Sequence, residues 1–141
     1  MKHLIMSRPQ CLIYSAAMVL NLPVEHIIML VGRDEGVHIQ EIQSVASRYN
    51  KLLAPIEMLP VSVFRDGSSR VLCNICGSDY SDRFVSTLQG QKAIILGEVT
   101  GTAHATAWDG NIMLDPRGHK YTLDGSSDFA IREAWVVCRM G

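Results

Sequence analysis

The first fifty residues contain three segments whose apolar positions are typical of helices. Apolar side chains fill nearly every position from Cys11 to Leu20, which predicts a helix buried on all sides. Pro23 can open a second helix, whose apolar positions recur at helical spacing as far as Val31. A third helix is expected at about 37–49. The chain is therefore expected to begin with three helices.

After Asn50 the pattern changes to that of strands. The run 93–99 is apolar on both faces, which is typical of a central strand. Residues 61–78 carry turn-forming side chains and predict an irregular segment, followed by a short helix that ends at Gly90. Further strands are expected at 52–59, 121–123 and 134–139. Helices followed by a mostly antiparallel sheet indicate an α+β fold, and the length of the chain suits a single domain over 1–141.

One stretch between these strands combines hairpin and catalytic signals. Asp109-Gly110 between two strand-forming runs is the strongest short hairpin signal. If this pair forms a two-residue loop, Trp108 faces Asn111. Successive facing pairs, taken outward from the loop, then place His104 directly opposite Asp115. A carboxylate held against an imidazole orients a catalytic base and fixes its tautomer. The first turn of a buried helix favours a thiolate, so Cys11 is the candidate nucleophile.

Composition narrows the function classes. The chain has 141 residues, a net charge of −1 and 48% hydrophobic residues. Lys and Arg are scattered and form no basic stripe, so nucleic acid is not expected as a partner. No apolar run is long enough to span a bilayer and no signal peptide is recognisable, which favours a cytoplasmic protein without membrane contact. In that reducing setting the four cysteines are expected as thiols.

A second candidate motif is the pair Cys73 and Cys76, which has the C-x-x-C spacing of half a zinc site. A complete site needs two more ligands, for which Cys138, His119 or His38 could be borrowed, but none of these forms a second close pair. The default interpretation is two thiols in an irregular loop, so neither a metal nor any other cofactor is expected. A zinc-bearing interaction module stays an alternative.

Trp108 lies two residues beyond Thr106 and four beyond His104, on the same face of the predicted hairpin. A tryptophan there could form a wall of a substrate cleft beside the catalytic base. A tryptophan buried in the core is equally compatible with the pattern.

The order of these features resembles the papain-like cysteine peptidases. The resemblance is carried by the Cys11 helix, the two helices after it, and the segments GTAHATAWDGNIMLDPRG, HIQEIQSVA and APIEMLPV, which together span most of the chain. It is strongest to a small bacterial and phage branch that includes the peptidase domains removing double-glycine leaders from bacteriocins. By this resemblance Cys11 is the nucleophile, His104 the general base and Asp115 its orienting partner. The implied reaction is hydrolysis of a peptide or isopeptide bond in a peptide or protein substrate, through a thioester.

The sequence departs from that family near the nucleophile. Its members place a Gln several residues upstream, where the side chain helps to form the oxyanion hole, but this chain has Leu4-Ile5-Met6 there. Gln10, adjacent to Cys11, is the only nearby candidate for that role, and Leu12 replaces a Gly that often follows the nucleophile. An alternative therefore stays open: a catalytically weak or inactive papain-like domain that binds a peptide or a host protein.

Overall fold

The first layer of the fold is helical and agrees with the apolar pattern. A computed structural model describes residues 1–57, 87–121 and 129–139. Its three helices are α1 (Cys11–Leu20), α2 (Val24–Val31) and α3 (Ile39–Arg48). Helix α1 ends at Asn21 and α2 at Gly32, both in the left-handed conformation. Helix α3 begins two residues later than expected, since the Glu41 side chain accepts a hydrogen bond from the His38 backbone N–H at 3.0 Å and fixes the helix start there.

The second layer is an antiparallel sheet. Within the described residues it has six strands, β1 (Lys51–Glu57), β2 (Ala93–Val99), β3 (Thr102–Trp108), β4 (Met113–Leu114), β5 (Lys120–Tyr121) and β6 (Phe129–Arg139), in the order β1-β6-β2-β3-β4-β5. The last strand therefore lies between β1 and β2, antiparallel to both. These findings confirm the expected α+β class with an antiparallel sheet. Strand β6 is longer than predicted, because its pairing with β2 continues back to Phe129.

Apolar side chains fill both faces of this sheet. Ala105 and Ala107 of β3 join the helices in one buried cluster, whereas Trp108 belongs to a second cluster with Leu88 and Phe129. The alternation follows from the two-residue period of a strand. Small alanine side chains let α1 pack closely on β3, its main strand neighbour. This packing places the start of α1 near the start of β3.

The β3–β4 hairpin forms, but its expected two-residue loop is wrong. The loop covers 109–112, and the pairs beside it are Ala107–Leu114 and Trp108–Met113. The Asp109 carboxylate accepts hydrogen bonds from the backbone N–H groups of Asn111 and Ile112, both at 2.8 Å. This side-chain cap stabilises the longer loop and moves the register by two residues. Because a shift of two preserves the face, His104 and Asp115 still share one side of the sheet.

Several expectations lie outside the described residues. They include the irregular segment 61–78 with Cys73 and Cys76, most of the short helix before Gly90, and residue 123 of a predicted strand. Over the described ranges, no single helix is long and apolar enough to cross a membrane. Helices α1 and α2 taken together reach that length and composition, but they are bent by 114° at the break between them.

Candidate active site

Cys11 is the first residue of α1, at an end of the helix that no side chain caps. Gln10 precedes it with φ −130° and ψ 40°, and its side chain does not bond to the first turn. The backbone N–H groups of the first turn, which have no partner within the helix, are therefore not satisfied by the Gln10 side chain. The Cys11 side chain is half-buried against the helical core.

His104 of β3 lies between the thiol and a carboxylate. Its Nε2 is 2.9 Å from Asp115 Oδ1, so the contact expected between these two side chains is present. The ring is 9% exposed and meets the Phe129 ring edge-on, with the centroids 5.6 Å apart. Gly97 of β2 lies directly opposite His104 and presents no side chain there. Since Nε2 faces Asp115, Nδ1 is the ring nitrogen left for the thiol.

Asp115 is fully buried, and its carboxylate accepts four hydrogen bonds from two of the described residues, His104 and Arg117. Oδ1 accepts from His104 and from the backbone N–H of Arg117 at 2.8 Å. Oδ2 accepts from Nε and Nη2 of Arg117 at 3.0 and 2.7 Å. Sequence reasoning missed Arg117. The signal was available, since an Asp two residues before an Arg in the turn-forming run Asp-Pro-Arg-Gly predicts an Asx turn that brings the two side chains together.

The turn that carries Asp115 is anchored to the N-terminal segment. His3 Nε2 donates to the Asp115 carbonyl at 2.6 Å, and the Met6 N–H donates to the Pro116 carbonyl at 2.8 Å. Gly118 closes the turn by donating to the Asp115 carbonyl at 2.8 Å, with φ at +105°, where other residues are strained. These backbone contacts fix the position of the carboxylate independently of its own side-chain bonds.

The thiol and the imidazole shift each other's pKa in opposite directions. Burial raises the pKa of Cys11, but the hydrogen bond and the charge of His104 lower it. Backbone hydrogen bonds at Leu12 and Ala105 add to that lowering, and the net pKa of Cys11 lies below its ordinary value of 9.0. Burial lowers the pKa of His104, yet its hydrogen bonds to Asp115 and Cys11 outweigh burial and raise the pKa to about 9. The lowered pKa of the thiol and the raised pKa of the imidazole both favour a thiolate–imidazolium pair.

A cavity of about 110 Å³ lies beside the thiol. It is lined by residues at the start of α1 and by the loop between α2 and α3, namely Pro9, Gln10, Cys11, Leu12, Ile13, Glu35, Gly36 and Val37. The candidate oxyanion residue Gln10 lies on this cavity, but its Nε2 donates to the Asp34 carbonyl at 2.8 Å. Since an amide carries two hydrogens, this bond leaves one of them for a second acceptor. A larger cavity of about 470 Å³, bordered by Tyr14 and Glu25, includes none of the three candidate catalytic residues.

Trp108 does not form a wall of the cleft, which corrects one expectation. Its side chain is 1% exposed, and its Nε1 donates to the Leu88 carbonyl at 2.8 Å inside the second core cluster. The pattern had allowed either position. The core position follows from the burial of both faces of β3, which leaves no solvent-facing side beside Trp108.

Metal ligands do not gather in the described part of the chain, where no group of three His, Cys, Asp or Glu side chains could hold an ion. The residues considered as borrowed zinc ligands are on separate elements: Cys138 on β6, His119 after the Asp115 turn, and His38 before α3. Cys73 and Cys76 are outside the described residues, so the zinc hypothesis is untested there.

The fold and the site together define an α+β domain that places a thiol, an imidazole and a carboxylate in a row. No protein-family model, curated protein or solved structure matches the chain. Inferences about its function therefore rest on the geometry of these three side chains and their surroundings.

Proposed function

We propose that the chain is a cysteine peptidase of papain-like type, in which Cys11 is the nucleophile, His104 the general base and acid, and Asp115 the orienting carboxylate. One observation carries the proposal: the His104 ring is hydrogen-bonded to the buried Asp115 carboxylate at 2.9 Å and lies close enough to the Cys11 thiol to lower its pKa. A third group that orients the base of a nucleophile is the general arrangement of covalent catalysis. The order of elements supports the papain-like assignment. The nucleophile is on the first helix, the base is on a later strand, and the orienting carboxylate directly follows the next strand.

In the proposed reaction, the Cys11 thiolate attacks the carbonyl carbon of a peptide or isopeptide bond. The new C–S bond pushes the carbonyl electrons onto oxygen, and the backbone N–H of Cys11 and the second amide hydrogen of Gln10 are its candidate donors. The His104 imidazolium gives its proton to the leaving nitrogen as the C–N bond breaks, which leaves a thioester. Water then attacks that thioester, with His104 taking its proton, and the acid product and free thiol result.

The first test of this proposal is the reactivity of Cys11 in the folded protein. We expect iodoacetamide at pH 7 to alkylate Cys11 faster than Cys138, which lies on β6, and peptide mapping by mass spectrometry measures both sites. A fluorogenic peptide library then measures hydrolysis, which Cys11→Ala should abolish and Cys138→Ala should leave unchanged. Equal alkylation of the two cysteines would overturn the assignment of the nucleophile.

A second candidate function is favoured by one contact near the thiol. The Gln10 amide is already bound to the Asp34 carbonyl, and Leu4, Ile5 and Met6 offer no side-chain donor for an oxyanion. A domain with a reactive thiol and a poor oxyanion hole would bind a peptide without cleaving it. If Cys11 is rapidly alkylated while no library peptide is cleaved, and Cys11→Ala retains peptide binding, this second function is the better one.

A further inference from the structure

The charges at the mouth of the cleft are unevenly compensated. Asp34 Oδ2 is 2.6 Å from Nη2 of Arg8, and Glu41 is paired with Arg33. Glu35 lies between these two ion pairs, is exposed, and forms no hydrogen bond or ion pair with the residues that the structure describes. The five charged groups therefore leave one uncompensated negative charge at the rim of the cavity that contains the thiol.

The position of Glu35 is defined on both sides. The Asp34 carbonyl accepts the Gln10 amide at 2.8 Å, which ties the loop to the residue next to the nucleophile. The Gly36 carbonyl accepts from Nη2 of Arg33 at 3.1 Å, and Gly36 has a φ of +66°, which turns the chain back toward Val37. Glu35 is thus held at the cleft by its two neighbours, although its own carboxylate is left facing water.

Part of the cavity is suited to an alkyl chain. Pro9, Leu12 and Val37 contribute apolar surface, and Glu35 contributes the carboxylate at the rim. Lysine and arginine side chains match this arrangement, because they bury a chain of methylene groups and keep the cationic end near water. An acidic side chain in the same place would meet the Glu35 carboxylate without a cation to compensate it.

We propose that Glu35 is a specificity-determining residue that selects a lysine or arginine side chain next to the bond that Cys11 attacks. Its role in hydrolysis rests on the proposed peptidase function, but the charge preference of the cleft can be measured on the thiol alone. Alkanethiosulfonates provide such a probe, because the thiolate attacks the sulfenyl sulfur, a disulfide forms, and methanesulfinate leaves.

The first experiment compares a trimethylammonium-ethyl, a sulfonatoethyl and a neutral methyl methanethiosulfonate on Cys11, with mass spectrometry reading modification at that site. We expect Glu35→Gln to lower the ratio of the cationic to the anionic rate by about three- to tenfold and to leave the neutral rate unchanged. Raising the salt to about 0.5 M should shrink the effect. Glu25→Gln makes the same change of charge on the larger cavity, away from Cys11, and should leave the ratio unchanged.

The second experiment uses peptides with Lys, Arg, Ala or Glu at the positions flanking the scissile bond. We expect wild-type protein to prefer Lys or Arg through kcat/KM, and Glu35→Lys to reverse the preference toward Glu. A changed thiosulfonate ratio without hydrolysis would overturn the peptidase function and support the charge selection. Cleavage and labelling that are both insensitive to Glu35→Gln would overturn the inference about Glu35 and leave the peptidase proposal standing.

Discussion

The two sides of the His104 ring are built differently. On one side Asp115 is fully buried, accepts four hydrogen bonds, and belongs to a turn fixed by backbone contacts. On the other side Cys11 is half-buried and borders a cleft whose far wall is an exposed loop held by a few polar contacts. The difference separates two tasks. In the proposed peptidase, orientation of the base would depend on a buried, hydrogen-bonded carboxylate, whereas substrate selection would depend on side chains that solvent can reach.

The largest expected effect comes from the buried side. Asp115→Asn keeps the size of the side chain but replaces one acceptor with a donor, which faces either His104 or the Arg117 guanidinium. We expect kcat to fall by about 10²- to 10⁴-fold, since the imidazole loses its orientation and the charge that stabilises it. Circular dichroism and a urea titration should accompany the kinetics. A fully folded variant with unchanged kcat would show that Asp115 is only structural.

The cleft side should respond next through Gln10. Gln10→Leu removes the proposed second oxyanion donor, and we expect kcat to fall by about 10²-fold with little change in KM. A purely structural role, through the bond to the Asp34 carbonyl, would instead raise KM and leave kcat near its wild-type value. Steady-state kinetics on the best library peptide separates the two. Gln43→Leu is a matched control. The Gln43 side chain likewise bonds to backbone, but its partner is Leu53, so the bond joins α3 to β1 and does not involve Cys11 or the loop after α2.

The link between the two sides is tested by the pH dependence of thiol labelling. The wild-type rate with iodoacetamide should rise through a pKa below 9.0. Removal of the imidazole in His104→Gln leaves burial as the main influence, so the pKa of Cys11 should rise above the wild-type value. The rate at pH 7 should then fall at least about tenfold, since each unit of pKa is a factor of ten in thiolate. An unchanged pH profile would contradict a thiolate–imidazolium pair.

A smaller effect is expected from the guanidinium behind Asp115. Arg117→Met leaves Oδ2 without two of its donors, and we expect the free energy of unfolding to fall by about 2 kcal/mol. Arg117→Lys keeps the charge but not the paired donors, so it should recover little of the loss. Urea denaturation measures both. If Arg117→Lys restores full stability, the charge alone matters and the two-point contact does not.

The smallest effect concerns stability against pH. The raised pKa of His104 stabilises the fold below pH 6.5 and loses that contribution as the pH rises toward about 9, whereas the lowered pKa of Cys11 acts in the opposite direction over an overlapping range. The wild-type urea midpoint should therefore change little between these values. In Cys11→Ala the opposing contribution of the thiol is lost, and only Asp115 still raises the pKa of His104, so the midpoint should fall as the pH rises from 6.5. A flat profile in that variant would contradict the contribution of Asp115 to the raised pKa of His104.

Sequence patterns predicted the parts of the molecule that depend on local rules. The nearly continuous apolar run 11–20 predicted α1 with its observed bounds, and the two-residue period of strands placed His104 and Asp115 on one face even though the register was wrong by two. The error came from Asp109, whose carboxylate caps a four-residue loop and so competes with the two-residue turn. Rules that assign hairpin loops from residue type alone do not include hydrogen bonds from a side chain to the loop backbone.

Other features depend on packing that no local pattern contains. A tryptophan at position 108 is compatible with a cleft wall or with the core. Its core position becomes evident only from the three-dimensional packing of the second cluster, which includes Leu88. The contact of Cys11 with His104 spans ninety-three positions of the chain and depends on α1 lying against the alanines of β3. Glu35 comes near the thiol because the loop after α2 folds back over the start of α1.

The place of β6 in the sheet has a consequence for synthesis in the cell. This strand is the last one along the chain, yet it supplies the hydrogen-bonding partner for both β1 and β2. Until residues 129–139 have emerged from the ribosome, no strand lies between β1 and β2, and Phe129 cannot pack against the imidazole. The sheet that carries His104 should therefore be completed late, and the proposed active site of a nascent chain should assemble only after that segment has been translated.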